Sequence, residues 1–350
     1  MDVVELILAR SDVEDVLRCK SVCKSWYNLI SSDYFVKTHL NRSYNNNREH
    51  GYLRIRLHWK FNNVADNKFR DCMIVGSCNG LVCIFTNFKD ELLVTNPSTR
   101  EVRILPKPCI KYRGRVICGF GYDSATDDYK VVVGFNQSKH HMRFQVLSLK
   151  SNKWKLVGDN DNLTYLSSFN DYNCGFLYDG ALHWFMDDTT KNKKKTIILS
   201  FDICLEKFKE IVLPNDHTEY VYDERDRLGM FEERLCIYRC SEFYDFNAIH
   251  RQTWVMKNDN CWELVPHDYE GNKNGAATTA YVLDFIPDNT WCLFYDYQGN
   301  IHLSWRNWYN ITCPVFVKSL VSPYPFGKPT YKKNNKRSRR LKADSSSHKQ

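Results

Sequence analysis

Gly76-Ser77-Cys78-Asn79-Gly80 has the G-x-C-x-G form of a nucleophile elbow, which exposes a thiol on a strained strand-to-helix turn. Leu81-Val82-Cys83-Ile84-Phe85 follows it as a strand rather than a helix, and Asn79-Gly80 is a hairpin-turn pair, so the string reads as a turn. Gly119-Phe120-Gly121 opens a G-x-G-x-x-S string, but no helix follows to receive a dinucleotide phosphate. Glycines there would supply positive φ and close backbone approach. His183, before Trp184, has the type of a general base, set against a hydrogen-bonded core histidine on a strand. Cys19/Cys23 and Cys236/Cys240 are paired at an x3 spacing on apolar faces, which favours packing over zinc. No H-E-x-x-H, P-loop, EF-hand loop or paired carboxylates stand out, so no catalytic residue, metal or cofactor is expected. Binding chemistry is the better prospect. Trp291, Trp305, Trp308 and Tyr309 cluster late in the chain as candidate substrate contacts, with core packing as the alternative. Lys191-Asn192-Lys193-Lys194-Lys195 reads as a basic hairpin tip, either solvated or facing an acidic partner.

The elements that must position such a surface change character along the chain. Val3, Val4, Ile7 and Leu8 form one helical face, and Ser11-Asp12-Val13-Glu14 fits a capping box ahead of Val16 and Leu17. Val22, Cys23, Trp26, Leu29 and Ile30 follow i, i+1, i+4, i+7, i+8, and Ser31-Ser32-Asp33 caps the start of a further apolar stretch. Three short helices over about 40 residues bury too little to be stable alone, so this segment is expected to complete its core against a partner.

From Met73 to Trp308 the period shifts to short β-rich runs split by Gly, Asn, Asp and Pro. A turn-plus-bulky-residue unit recurs as NPSTREVRIL, LKSNKWKLV, DICLEKFKEIVL and KNDNCWELV, with Val102, Trp154, Phe208 and Trp262 spaced 52, 54 and 54 residues apart. A second strand type recurs as NGLVCIF, DDYKVVVGF, DGALHWF, EERLCIY and NTWCLFY. Units of several strands at a period near 50 predict a kelch-like propeller, each unit stable only when stacked on its neighbours. An irregular β-sandwich is the alternative. About five units are predicted, the last near Tyr281 to Trp308. Asn45 to Asp71 reads as linker with one strand at Tyr52–Trp59.

Asp2-Val3-Val4, Ile7-Leu8, Arg10, Val13, Leu17-Arg18, Val22-Cys23-Lys24-Ser25-Trp26, Leu29-Ile30, Phe35 and His39-Leu40 together resemble an F-box. Two Leu-Pro pairs of that pattern are altered: the leading pair would precede Asp2, so the F-box reads as truncated, and Ser11-Asp12 replaces the internal one. Gly76–Leu81, Asn96–Glu101, Gly119–Asp123, Asp128–Val132 and Gly180–Trp184 resemble the F-box-associated domain of plant F-box proteins, nearest the S-locus type. The resemblance implies an α+β multidomain chain: an F-box at 1–41, a linker at 42–71, a propeller-like domain at 72–316 and a basic disordered tail at 317–350. It also implies a non-catalytic substrate-recognition subunit of a Skp–cullin–F-box ubiquitin ligase. Val3, Val4, Ile7, Leu8, Val13, Leu17, Val22 and Trp26 would build the F-box and its adaptor-binding face, and the β domain would hold an unidentified protein substrate. Polar Ser11 and Asp12 at an apolar contact would weaken the adaptor interface, at about 1–3 kcal/mol for each unpaired group. A protein-binding module uncoupled from the ligase is therefore the rival, and a carbohydrate-active propeller the more distant one.

Composition narrows the partners. The formal charge is +8, but residues 332–350 hold eight Lys/Arg and one acid, leaving +1 for residues 1–331. The body thus lacks a nucleic-acid footprint, and Lys336–Arg340 alone suggests nuclear import or nonspecific RNA contact. No run approaches 18 apolar residues, so no membrane span is expected. Fourteen cysteines behind a start with no basic n-region point to reduced thiols and a cytoplasmic or nuclear protein. Sequons at Asn41, Asn136, Asn162 and Asn310 carry no meaning there.

Overall fold

The computed structural model describes residues 3–50, 72–86, 91–108, 116–136, 142–158, 165–167, 172–188, 195–214, 226–231, 233–239, 253–258, 260–265, 293–295, 301–303, 317–325 and 327. Four helices come first: α1 (Val3–Arg10), α2 (Val13–Cys19), α3 (Lys24–Ile30) and α4 (Asp33–His50). The fourth helix corrects the reading of three. It runs through the first residues assigned to a linker, where Asn45-Asn46-Asn47 gives no apolar period to follow. The strand expected at Tyr52–Trp59 lies outside the described residues.

Local capping also differs in part from expectation. Ser32 Oγ accepts from the Phe35 N–H at 3.2 Å, as expected of a residue opening α4. The capping box does not form. Asp12 is the N-cap of α2 and makes no side-chain cap bond, Ser11 Oγ turns back to the Ile7 carbonyl, and Glu14 pairs with Lys318. Cys23 instead caps α3, its sulfur accepting from the Trp26 N–H at 3.5 Å.

The β domain holds four successive antiparallel sheets. The first is β1 (Cys72–Cys78), β2 (Leu81–Thr86), β3 (Glu91–Asn96) and β4 (Glu101–Ile104). The second is β5 (Val116–Asp123), β6 (Asp128–Asn136), β7 (Met142–Ser148) and β8 (Lys153–Val157). Two short strands follow, β9 (Tyr165–Ser167) and β10 (Tyr172–Cys174), the latter joining β5 in parallel. The third sheet is β11 (Phe176–Tyr178), β12 (Ala181–Asp188), β13 (Lys195–Asp202) and β14 (Lys207–Ile211), with β9 on β12. The fourth is β15 (Asp226–Phe231), β16 (Arg234–Arg239), β17 (Thr253–Asn258) and β18 (Cys261–Val265). A hairpin of β19 (Leu293–Tyr295) and β20 (Ile301–Leu303) is what is described of the expected fifth unit. The two recurring sequence units are the second and fourth strands of each sheet: β2, β6, β12, β16 and β4, β8, β14, β18.

The sheets stack because their middle strands are apolar on both faces. In β12, Leu182, Trp184 and Met186 join Ile117, Val132 and Phe144 of the second sheet, while Phe185 turns to Leu228, Leu235 and Trp254 of the fourth. Val116, Cys118 and Phe120 of β5 likewise meet Val75, Leu81 and Val94 of the first sheet. Alternation of period two thus reads as a continuous apolar run when both faces are covered.

Glycine makes the second and third sheets fit. A Cβ on Gly119 would lie 2.6 Å from Leu182 Cδ1, and one on Gly121 2.2 Å from Ile203 Cδ1. Close approach is therefore what these positions require, and the positive φ also expected there is absent. A buried ion network bridges the same pair of sheets: Lys130 Nζ lies 2.8 Å from Asp123 and 2.9 Å from Glu206.

Among the described residues, eight other than glycine adopt positive φ: Asn79, Arg100, Asp127, Asn152, Asp179, Glu206, Glu233 and Asn260. Each sits in the turn joining strands one and two, or three and four, of a sheet, so all collect at one edge of the stack. The outer-strand anchors tie each sheet to its predecessor. Trp154 Nε1 donates to the Pro106 carbonyl and Trp262 Nε1 to that of Val212, while Phe208 packs 4.5 Å from Phe144.

Residues 317–325 correct the tail assignment. Val317, Ser319 and Leu320 are buried, and the segment lies on the turn edge of the first sheet. Asn96 Nδ2 donates to the carbonyls of Ser319 and Val321, at 3.0 and 2.6 Å. The basic residues 332–350 lie outside the described part.

Candidate functional site

The helical module separates its apolar residues into two sets. Leu8, Ala9, Val13, Val16, Ile30 and Phe35 form its core, joined by Leu320 from the far end of the chain. Val4, Leu17 and Trp26 are half-buried against that core. Val3, Ile7 and Val22 point outward, at 68%, 59% and 62% exposure. The eight residues singled out for the adaptor face therefore divide: two are core, three support it, and three are free to meet another surface. Val3 and Ile7 lie one turn apart on α1, so they share a face. Exposed Tyr27 and Tyr34 add to the outward apolar set. Tyr27 escaped sequence reasoning because it falls one residue beyond Trp26, off the α3 stripe.

Ser11 is better satisfied than its sequence position implied. Its hydroxyl donates to the Ile7 carbonyl at 3.0 Å, and its own carbonyl accepts from His39 Nε2 at 2.9 Å. Both polar groups are already paired within the module, so no orphaned group of Ser11 remains to be desolvated. Asp12 is exposed, with φ −63° and ψ 152°. That backbone matches the fixed φ of proline, the residue the F-box pattern places there.

The module rests on the turn edge of the first two sheets. Tyr44 OH donates to Asn79 Oδ1 at 3.0 Å, and Lys37 Nζ pairs with Asp127 at 2.9 Å. Asp127 also accepts from Tyr122 OH at 2.5 Å.

The candidate nucleophile and base are both structural. Cys78 ends β1, and burial raises its thiol to about 12, far from a reactive thiolate at neutral pH. Burial lowers His183 to about 4, and its ring pairs with the Phe176 carbonyl and Ser200 Oγ. Asp123 is held low by hydrogen bonds from Lys130 and Thr126, which outweigh its own desolvation. Among the described residues no group of three or more His, Cys, Asp or Glu is placed to hold a metal ion. No described helix is long and apolar enough to cross a membrane. Trp291, Trp305, Trp308 and Tyr309 lie outside the described residues, as do Lys191 to Lys194 of the basic tip.

A helical module on the turn edge of stacked antiparallel sheets defines a two-part protein, and comparison with known proteins names both parts. An F-box domain profile matches residues 1–38, and an F-box associated beta propeller domain profile matches residues 31–264. The chain belongs to the F-box proteins that carry this propeller domain. F-box protein CPR1 of Arabidopsis thaliana is 29% identical over 74% of this chain and 70% of its own length. A putative F-box protein of the same plant is 28% identical over 77% of this chain and 62% of its own. An F-box/kelch-repeat protein from that plant is 26% identical over 61% and 65%. This chain therefore spans roughly three fifths to seven tenths of these relatives. None of the three bears an S-locus name.

Proposed function

We propose that this protein is the non-catalytic substrate-recognition subunit of a Skp–cullin–F-box ubiquitin ligase. The F-box would bind the Skp-type adaptor, and through it the cullin, while the β domain would hold a protein substrate. Ubiquitin transfer would then gain from proximity, the bound substrate meeting the charged enzyme at a high effective concentration. The observation that carries this reading is the outward set Val3, Ile7 and Val22, joined by Tyr27 and Tyr34, on a module whose other apolar side chains pack into or against its own core. The pairing of Ser11 inside the module favours it over an uncoupled binding module. The described cysteines form no disulfide with one another, which fits a cytoplasmic or nuclear site of action. Ring closure belongs to the same proposal. The outward faces of the first and fourth sheets carry apolar clusters of their own, around Val82 and Val255, and a stack with apolar ends calls for further units.

Co-purification with a Skp-type adaptor tests the reading. The wild-type chain is expected to capture it, and Val3→Asp, Ile7→Asp and Val22→Asp combined to reduce capture by about tenfold or more while the melting temperature holds. No capture by the wild type, or capture indifferent to the triple change, would sink it. If Ser11→Leu with Asp12→Pro is needed before any capture is seen, the uncoupled module is the right description.

A further inference from the structure

We infer that residues 317–325 form an intramolecular latch that fixes the orientation of the F-box on the β domain. The segment touches both bodies at once. Toward the helices, Leu320 is 4% exposed inside the cluster of Leu8, Val13, Val16, Ile30 and Phe35, and Lys318 Nζ lies 2.7 Å from Glu14. Toward the first sheet, Ser319 is fully buried and its hydroxyl donates to the Asn79 carbonyl at 2.8 Å. Asn96 holds the strap backbone on either side of Leu320. Arg103 donates to the Pro323 carbonyl at 2.9 Å, and Tyr324 OH to that of Val102 at 2.6 Å.

The receiving turn is shaped for this contact. Gly80 has φ +80°, and a Cβ there would fall 2.2 Å from Ser319 Oγ and 2.5 Å from the Val317 carbonyl. Only a residue without a side chain lets the strap approach so closely. The other contacts from α4, Tyr44 to Asn79 and Lys37 to Asp127, are polar and solvent-exposed, so they hold the F-box less firmly than a buried leucine. An F-box joined by those contacts alone would rock on the sheets. With the strap seated, one apolar side chain closes the helical core while its neighbours are pinned to the sheet. This inference concerns the fixed angle between two bodies and does not rest on adaptor binding.

Native-state amide exchange on the full chain tests it. Leu320→Ala and Gly80→Ala are each expected to raise exchange across α1 to α4 about tenfold or more, with the third and fourth sheets unchanged. Because both act through one latch, the double variant is expected to exchange no faster than the worse single one. Tyr324→Phe, which removes one hydroxyl, should move the same helices by a smaller factor. Unchanged helices, a rise spread evenly over all four sheets, or additive effects of the two substitutions would each overturn the latch.

Discussion

His183 shows how a residue with catalytic chemistry is turned into a structural one. Its ring lies between the Phe176 carbonyl and Ser200, and burial holds it neutral down to about pH 4. The unfolded chain would protonate it near 6.5, so stability is fully present above that pH and falls as the pH drops toward 4. The loss should reach up to about 3 kcal/mol. His183→Gln is expected to flatten that part of a urea-denaturation pH series. Lys130 poses the opposite case. Replacing it with Met strands the carboxylate of Asp123, whose side chain is 1% exposed, and should cost about 3–5 kcal/mol. Adding Asp123→Asn should recover part of that loss in the same measurement. The buried, hydrogen-bonded histidine was legible as a reading of its strand, whereas the ion network was not. His183 could be suspected of being buried from the strand around it, but Glu206 lies 76 residues beyond Lys130 and only the stacking of sheets brings them together.

At the scale of elements, turn chemistry was the readable signal. Asn79-Gly80 and the NPSTR, KSNK and KNDN turns announced hairpins, and the strands beside them emerged at nearly constant spacing. First and third strands end at these same turns, although the recurring units were read only from the strands that follow them. Helix α4 was missed beyond Leu40 because Asn, Arg and Glu fill its second half, although its first half is fixed by buried Phe35 and His39. Two outcomes belong here. Leu8→Ala should lower stability by about 2–5 kcal/mol in thermal unfolding of the helical module, whereas the same change at its exposed neighbour Ile7 should leave it within about 0.5 kcal/mol. Gly119→Ala, aimed at Leu182 and Trp184, should cost about 1–3 kcal/mol by overpacking two sheets that have no room for a methyl group.

Among the described residues, neighbour-to-neighbour contacts dominate between the sheets, and the strap is a long-range exception. Each sheet is glued to the next by one apolar cluster and by an outer-strand aromatic that reaches back to its predecessor. Within the stretch read as a disordered tail, residues 317–325 escaped notice because Val317 to Tyr324 is too short to show a period, and its partners lie more than 200 residues upstream.

Leu8 and Leu320 share one core although 312 positions of chain separate them. A ribosome making this protein must finish the second long after the first has left the exit tunnel, a wait on the order of tens of seconds. During that interval the core of the opening helices lacks the leucine that completes it. Translation order thus makes the final packing of the amino-terminal helices a report that the downstream sheets have been made.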